Sequence, residues 1–129
     1  MNIIFDTNFL IDCARFKLNC LDKMTNIDGL YGNIYFIILD CCHDELERIA
    51  QTKTISGKYA KIAYEMTHRS NFRIVKVNKK WSCADESILE YAKKNNCIVA
   101  TNDKKLIEKL KLHKIKVIRI RQKKMLVIE

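Results

Sequence analysis

Four carboxylic acids stand at positions where a folded protein usually carries apolar or uncharged residues: Asp6, Glu45, Asp85 and Asp103. Asp6 ends an apolar run that begins at Ile3, and Asp103 closely follows the apolar run 98–100. Burying several like charges together is prohibitively costly unless a cation lies between them. If the four side chains converge, we therefore expect metal-dependent chemistry.

Helical periodicity distinguishes Glu45 and Asp85 from the other acids near them. With a rotation of about 100° per residue, Glu45 falls beside the apolar stripe of a helix that follows Asp40. Asp85 falls at the centre of the apolar stripe of a later helix, in its first turn. The neighbouring acids of both helices point away from these stripes, so Glu45 and Asp85 are the two that need an explanation.

Each acid alone also has an ordinary structural explanation. Asp85 can complete a capping box with Ser82 and favour the helix dipole, and Glu45 can be a boundary acid paired with a lysine. Asp6 and Asp103 can be turn or cap residues at strand ends. The conjunction of all four is what favours a shared metal site.

The elements that position these acids alternate between strands and helices. Strands are predicted at 2–6, 34–39, 72–77, 97–100, 115–120 and 124–128. Helices are predicted from a Thr7 cap to about 16, more weakly over about 19–26, from an Asp40 cap to about 51, over 57–69, from a Ser82 cap to about 95, and over 103–112. This alternation predicts one α/β domain over residues 1–129, a three-layer sandwich with a mainly parallel central sheet flanked by helices and a C-terminal β-hairpin.

A parallel sheet would bring the acids to one edge. Ligands of open parallel sheets bind outside the carboxyl ends of the strands, where Asp6 and Asp103 are expected. Helices that follow strands begin at the same edge, which places Glu45 and Asp85 within reach. Carboxylate oxygens suit one or two Mg²⁺ or Mn²⁺ ions, which make a water nucleophilic and stabilise charge on phosphorus. Phosphodiester hydrolysis is the reaction that follows from such a site.

Small polar residues stand next to the acids in the sequence. Asn8, Thr101 and Asn102 are suited to orienting the carboxylates or a water molecule. Each of them is equally well explained as an ordinary turn residue.

The positive charge of the chain is concentrated near its C-terminus. The formal net charge is +9, and residues 93–129 hold 12 Lys and Arg against three acids, whereas residues 1–92 hold 12 of each. Such a surface suits a polyanion, because basic side chains that neutralise phosphates release counterions. We expect phosphate contacts from Arg119, Arg121, Lys123 and Lys124. A solvated lysine-rich face is the alternative.

Composition predicts an ordinary globular domain. The chain is 48% hydrophobic and 30% charged, and no stretch approaches the ~18 apolar residues of a membrane span. With no basic and apolar leader before the first strand, we expect a cytoplasmic protein without membrane contact. The six cysteines form no Cys-x-x-Cys pair and no Cys/His cluster at zinc-ligand spacing, so we interpret them as reduced core residues.

Four blocks of the sequence resemble the PIN domain, a metal-dependent nuclease fold. The blocks are residues 4–8, 44–46, 84–89 and 99–103. Their order and spacing span nearly the whole chain and are more specific than any single block. The resemblance implies a parallel sheet flanked by helices, an acidic pocket that binds Mg²⁺ or Mn²⁺, and endonucleolytic cleavage of RNA.

The resemblance also implies roles for individual residues. It assigns catalysis and metal binding to Asp6, Glu45, Asp85 and Asp103, with Asn8 and Thr101 in support. Glu86 is an accessory candidate, because its predicted direction is outward.

Within the family, the segment 115–129 looks more like the PIN nucleases that process small-subunit ribosomal RNA, and the toxin ribonucleases of toxin–antitoxin pairs come next. The expected partner is RNA, with a ribosomal precursor favoured. A homodimer, a protein inhibitor and ribosome-assembly factors are left open as further partners. DNA also stays open as a substrate, because phosphate contacts distinguish it poorly from RNA.

Other functional classes fit the sequence less well. A phosphatase of the haloacid dehalogenase type needs a second acid two residues after Asp6, and that position is Asn8. No Gly-x-x-x-x-Gly-Lys-Ser/Thr loop and no Gly-x-Gly-x-x-Gly turn is present, which argues against nucleotide-driven enzymes. The main rival is a non-catalytic RNA-binding or ribosome-assembly protein, and the presence of all four acids disfavours it.

Overall fold

The computed structural model describes residues 1–27, 30, 32–68, 72–77 and 85–129. The strands in these ranges are β1 (Asn2–Phe5), β2 (Tyr35–Leu39), β3 (Phe72–Val75), β4 (Ile98–Ala100), β5 (Val117–Arg121) and β6 (Met125–Ile128). The helices are α1 (Thr7–Arg15), α2 (Cys20–Met24), α3 (Asp40–Ala50), α4 (Ile55–Met66), α5 (Asp85–Asn95) and α6 (Lys104–Leu112).

The strands form one sheet in the order β3-β2-β1-β4-β5-β6. All neighbouring pairs are parallel except β5 and β6, which pair as an antiparallel hairpin. The predicted α/β fold with a mainly parallel sheet and a C-terminal hairpin is confirmed. Because the chain passes from β1 to β2 on one side and reaches β4 on the other, the strand order reverses between β1 and β4.

The central strands are apolar on both faces, because helices cover the sheet on both sides. Ile3, Ile4 and Phe5 of β1 are fully buried. The Phe5 ring lies 5.6 Å from the ring of Phe36 and 5.3 Å from that of Phe72, measured between centroids. These contacts join three neighbouring strands into a rigid base for the residue that follows Phe5.

Several element ends differ from the sequence prediction. The N-cap of α1 is Asp6, and Thr7 is already helical. The N-cap of α3 is Leu39, and the predicted cap Asp40 is the first residue of the helix. The strand predicted at 72–77 ends at Val75, and the amide of Val77 donates to the side chain Oδ1 of Asp40 at 3.4 Å instead of to a neighbouring strand.

Helix α4 begins at Ile55, two residues before its predicted start. Thr54 is its N-cap, and its hydroxyl accepts a hydrogen bond from the amide of Gly57 at 2.9 Å. A Cβ atom on Gly57 would lie 2.3 Å from the carbonyl oxygen of Thr52, so only glycine fits this turn.

The prediction that all six cysteines are reduced core residues is wrong. Cys13 and Cys20 form a disulfide, and Cys41 is disulfide-bonded as well. Lys17, with a left-handed φ of 54°, lies in the turn that brings the end of α1 back to the start of α2. Spacing alone did not reveal this reversal. Cys42 and Cys97 are buried thiols as predicted, and Cys83 lies outside the described residues.

In the described part of the chain, no helix has the length and apolar character needed to cross a membrane.

Candidate active site

Asp6 stands at the carboxyl end of β1, beside the point where strand order reverses. Its amide donates to the carbonyl of Ala100 at 3.0 Å, which extends the pairing of β1 with β4 by one residue. Its own carbonyl accepts from the amide of Phe9 at 3.1 Å and so begins α1. The side chain makes no capping bond to α1. The backbone of Asp6 is thus fixed from both sides while its carboxylate is directed to other partners.

The hydroxyl of Thr101 holds the Asp6 carboxylate. Thr101 is fully buried, and its Oγ1 donates to Asp6 Oδ2 at 2.9 Å. Thr101 Oγ1 also accepts a hydrogen bond from the amide of Asp103 at 3.1 Å. The amide of Thr101 donates to the carbonyl of Ile118 at 3.0 Å, which anchors the residue to β5. Thr101 therefore orients a carboxylate, which is the contact expected of it from the sequence.

The electrostatics of Asp6 show that the four acids are neighbours. The pKa of Asp6 is raised to about 6, mainly by burial and further by repulsion from Asp85, Asp103 and Glu45, against the lowering effect of the Thr101 hydrogen bond. The structure thus brings the four sequence-selected acids to one edge of the sheet, where each of the other three acts on Asp6.

Asp103 is both a neighbour of Asp6 and a helix cap. Its Oδ1 accepts from the amides of Lys105 at 2.9 Å and Leu106 at 3.5 Å at the start of α6. The ordinary explanation of Asp103 as a cap is therefore correct, and it coexists with the repulsion that Asp103 exerts on Asp6.

Glu45 and Asp85 lie as the helical wheels predict. Both are partly buried, whereas the outward-facing acids Glu47 and Glu90 on the same helices are exposed. Asp85 is the first residue of α5. Its proposed capping partner Ser82 lies outside the described residues.

The remaining supporting residues differ in their contacts. Asn8 is exposed in the first turn of α1, and Glu86 is exposed in the first turn of α5. Asn102 is bonded away from the four acids: its Nδ2 donates to Asp12 Oδ2 at 3.0 Å, and its Oδ1 accepts from the amide of Ile120 at 2.8 Å. It therefore connects elements next to the site.

Two residues near the site were not singled out in the sequence for these contacts. Thr7 is buried, and its hydroxyl donates to the carbonyl of Cys42 at 3.2 Å, which ties the start of α1 to the helix that carries Glu45. Asp12 is partly buried on α1 and bonds Asn102. No local pattern marks either contact, because Thr7 and Asp12 meet partners 35 and 90 residues away.

The donor set fits a hard divalent cation in its chemistry, since all four side chains offer carboxylate oxygens. A cation would also relieve the repulsion that raises the pKa of Asp6. Among the described residues, no three acidic, histidine or cysteine side chains are already gathered into a metal-binding group.

The four basic residues selected from the sequence fall into two groups. Arg119 is partly buried, and its Nε lies 2.7 Å from Glu129 Oε1, while Lys111 Nζ lies 2.8 Å from Glu129 Oε2. Hydrogen bonds from Lys111 and Arg119 hold the pKa of Glu129 below its usual range. Arg119 is thus engaged by an acid, whereas the other three residues, Arg121, Lys123 and Lys124, are exposed at the turn between β5 and β6.

This basic turn lies on the same edge of the sheet as the acids. Ile118 pairs with Ala100, and β5 continues three residues beyond it to Arg121. At ~3.3 Å per residue, the turn extends about 10 Å past the end of β4. Gln122 and Lys123 have φ values of 54° and 58°, as a tight type I′ turn requires.

The chain is similar to known proteins in sequence and in fold. Residues 3–123 match the family described as PIN like domain. The chain is 39% identical over 125 residues to the ribonuclease VapC4 of Methanocaldococcus jannaschii, with 95% of this chain and 92% of that protein covered. It is 29% identical over 111 residues to the rRNA-processing protein FCF1 homolog of Bos taurus, covering 85% of this chain but 52% of that protein. The chain thus spans about half the length of the latter relative.

Solved structures share the fold. The structure titled "Structure of the PIN domain endonuclease Utp24" superposes with a TM-score of 0.78 at 26% identity, covering 99% of this chain and 90% of that one. A domain of a functionally unknown protein from Methanocaldococcus jannaschii superposes with a TM-score of 0.63 at 19% identity, which shows a common fold alone.

Proposed function

Because the chain belongs to the PIN-like domain family, we propose that it is a metal-dependent endoribonuclease that hydrolyses phosphodiester bonds of RNA. The observation that carries this proposal is the state of Asp6. Its carboxylate is partly buried, its pKa is raised to about 6, and three further acids repel it at the same edge of the sheet. The similarity to a ribonuclease and to an rRNA-processing protein supports RNA as the substrate.

The roles of the side chains follow from their contacts. Asp6, Glu45, Asp85 and Asp103 would hold one or two Mg²⁺ or Mn²⁺ ions. When bound, such ions supply a nucleophilic water and stabilise charge on the phosphorus centre. Thr101 fixes the direction of the Asp6 carboxylate through its hydroxyl. Asn8 and Glu86, exposed in the first turns of α1 and α5, would contact substrate or water at the rim.

The basic turn would bind the RNA backbone near the acids. Arg121, Lys123 and Lys124 are exposed on the edge that carries the carboxylates. The positive charges of the turn would offset the repulsion that the acids exert on RNA phosphates. Because Arg119 is paired with Glu129, we assign it a smaller share of phosphate binding than the other three.

A cleavage assay tests the proposal. Purified protein should cut a labelled structured RNA in Mg²⁺ or Mn²⁺ and should not cut it in a chelator. Asp6→Asn should reduce the rate by about 100-fold or more, because a metal ion contributes several kcal/mol to the transition state. Glu47→Gln, at an exposed acid of α3, is the matched control and should cleave like the wild type. Equal cleavage by wild type and Asp6→Asn would show that the assignment is wrong.

Two cellular roles have support from the relatives. Processing of a ribosomal RNA precursor rests on the FCF1 homolog and on the C-terminal segment 115–129. A toxin-type ribonuclease of a toxin–antitoxin pair rests on the ribonuclease VapC4, which is more similar and nearly equal in length. Sequencing RNA crosslinked in cells to an inactive Asp85→Asn variant separates them: ribosomal precursor supports the first role, and enrichment of another RNA class, such as transfer RNA, supports the second.

A further inference from the structure

The side chain of Asn102 joins three elements beside the acidic edge. Asn102 follows β4, its amide nitrogen donates to Asp12 on α1 at 3.0 Å, and its amide oxygen accepts from the Ile120 backbone of β5 at 2.8 Å. Both hydrogen bonds are partly buried and span 90 and 18 residues of sequence. Through these two hydrogen bonds, the side chain of Asn102 connects α1 to the hairpin formed by β5 and β6.

The bond to Ile120 replaces a missing rung of the sheet. Strand β4 ends at Ala100, and the amide of Thr101 donates the last backbone bond to the carbonyl of Ile118. Alternate residues of a strand bond to opposite neighbours, so the amide of Ile120 faces the side that β4 has already left. The Asn102 side chain accepts from that amide at 2.8 Å and so satisfies a backbone donor of β5 beyond the end of β4.

A second contact ties the same hairpin to α1. The ammonium group of Lys123 lies 5.7 Å from the ring centroid of Phe16, the residue after α1. Asp12 lies on the helix that starts directly after Asp6, and Phe16 is the C-cap of that helix, four residues further on. Helix α1 therefore connects the position of the hairpin to that of Asp6.

We propose that Asn102 and Asp12 are positioning residues that fix the basic turn 121–124 relative to the acidic pocket, so that RNA phosphates bound at the turn are aligned with the four carboxylates. This role rests on the proposed endoribonuclease function. Asn102 would not orient a metal-binding carboxylate, because neither of these two hydrogen bonds reaches one of the four acids.

A charge swap tests the pair. Asn102→Asp places two carboxylates opposite each other and should break the contact with α1. Adding Asp12→Asn restores one donor and one acceptor with reversed polarity and leaves the net charge of the protein unchanged. Asn95→Asp is the matched control, because Asn95 is exposed and its Nδ2 donates to a local helix carbonyl, that of Tyr91.

Two measurements decide the outcome, both on the Asp85→Asn background, in which RNA should bind without being cut. In Asn102→Asp, the amide hydrogen of Ile120 should exchange with solvent at least about tenfold faster. The dissociation constant for RNA should rise about tenfold, which corresponds to about 1.4 kcal/mol of binding free energy. The swap should recover both values to within about twofold, and Asn95→Asp should change neither.

Neutralising the turn separates positioning from a merely structural role. With Arg121, Lys123 and Lys124 all changed to Gln, Asn102→Asp should no longer affect the RNA dissociation constant, because the misplaced turn has no charge left to contribute. The proposal would be overturned if Asn102→Asp still raised the RNA dissociation constant in that background as much as it does with the turn intact. It would also be overturned if the swap failed to restore the slow amide exchange of Ile120. Absence of metal-dependent cleavage by the wild type would instead refute the proposed function, and the binding and exchange results would still stand.

Discussion

At the scale of single residues, the site is organised around one carboxylate and one hydroxyl. Asp6 carries the repulsion of three other acids, and Thr101 is the side chain that holds it in place. Active sites commonly keep such unfavourable arrangements because ligand binding relieves them. The stability of the metal-free protein should therefore respond to small changes at these two positions.

Asp6→Asn should stabilise the metal-free protein above pH 6. Because the folded pKa of Asp6 is raised from 3.8 to about 6, the stability that its protonated form provides is complete below pH 3.8 and is lost as the pH rises through about 6. A neutral amide avoids this loss, so the variant should gain up to about 3 kcal/mol in free energy of unfolding at pH 8. Urea titrations in chelator at pH 4 and pH 8 measure the difference. A gain that is equal at both pH values would contradict the assignment.

Thr101→Val should weaken divalent metal binding without a large change in fold. The valine keeps the shape of threonine but removes the hydrogen bond to Asp6 Oδ2 and leaves the amide of Asp103 without its acceptor. Loss of a residue that orients a metal ligand typically lowers metal affinity about 10–100-fold. Calorimetric titration with Mn²⁺ measures the change. Thr67→Val is the control, because Thr67 is equally buried but bonds a carbonyl at the end of α4.

At the scale of elements, the carboxyl ends of β1 and β4 place the acids, and the hairpin extends past them. The strands and the outer faces of α3 and α5 could be predicted, because continuous apolar runs and helical spacing are local signals. The contacts of Asn102 and the Cys13–Cys20 disulfide could not be predicted. The Asn102 side chain meets a partner 90 residues away, and the disulfide depends on a reversal of the chain between α1 and α2. Asp103 was ambiguous in the sequence because it serves as a cap and as a neighbour of Asp6.

The basic turn should set the salt dependence of RNA binding. Replacing Arg121, Lys123 and Lys124 with Gln removes three exposed charges beside the acids. If each contacts a phosphate of single-stranded RNA, the slope of log affinity against log salt should fall by about 2, while Mn²⁺ affinity is unchanged. Filter binding at several salt concentrations measures the slope. Changing Lys53, Lys58 and Lys61, which are exposed at and before α4, should have little effect; equal slopes for both variants would assign the turn to solubility.

The disulfide between α1 and α2 should contribute to stability. Cys13 and Cys20 are fully buried and seven residues apart, and closing so short a loop is worth about 2 kcal/mol. Reductant should therefore lower the free energy of unfolding of the wild type by about 2 kcal/mol more than that of a Cys13→Ala, Cys20→Ala variant. The variant keeps the bond at Cys41, so the difference isolates one disulfide. An equal effect of reductant on both proteins would contradict this contribution.

At the scale of the whole molecule, acidic and basic residues occupy one edge of the sheet. The acids come from four distant parts of the sequence, and the parallel sheet brings them together where strand order reverses. The basic turn belongs to the same C-terminal region that carries the net charge of the chain. An RNA strand at this edge would meet the exposed basic side chains of the turn and the four carboxylates together.

The central claim is that these four acids act as one metal site, and titration of Mn²⁺ into paired variants of α3 tests it most directly. Glu45→Gln removes the partly buried acid that acts on Asp6, and Glu47→Gln removes an exposed acid two residues away. We expect Glu45→Gln to weaken Mn²⁺ binding by at least about tenfold and Glu47→Gln to bind Mn²⁺ like the wild type. Equal Mn²⁺ affinities for the two variants would contradict it.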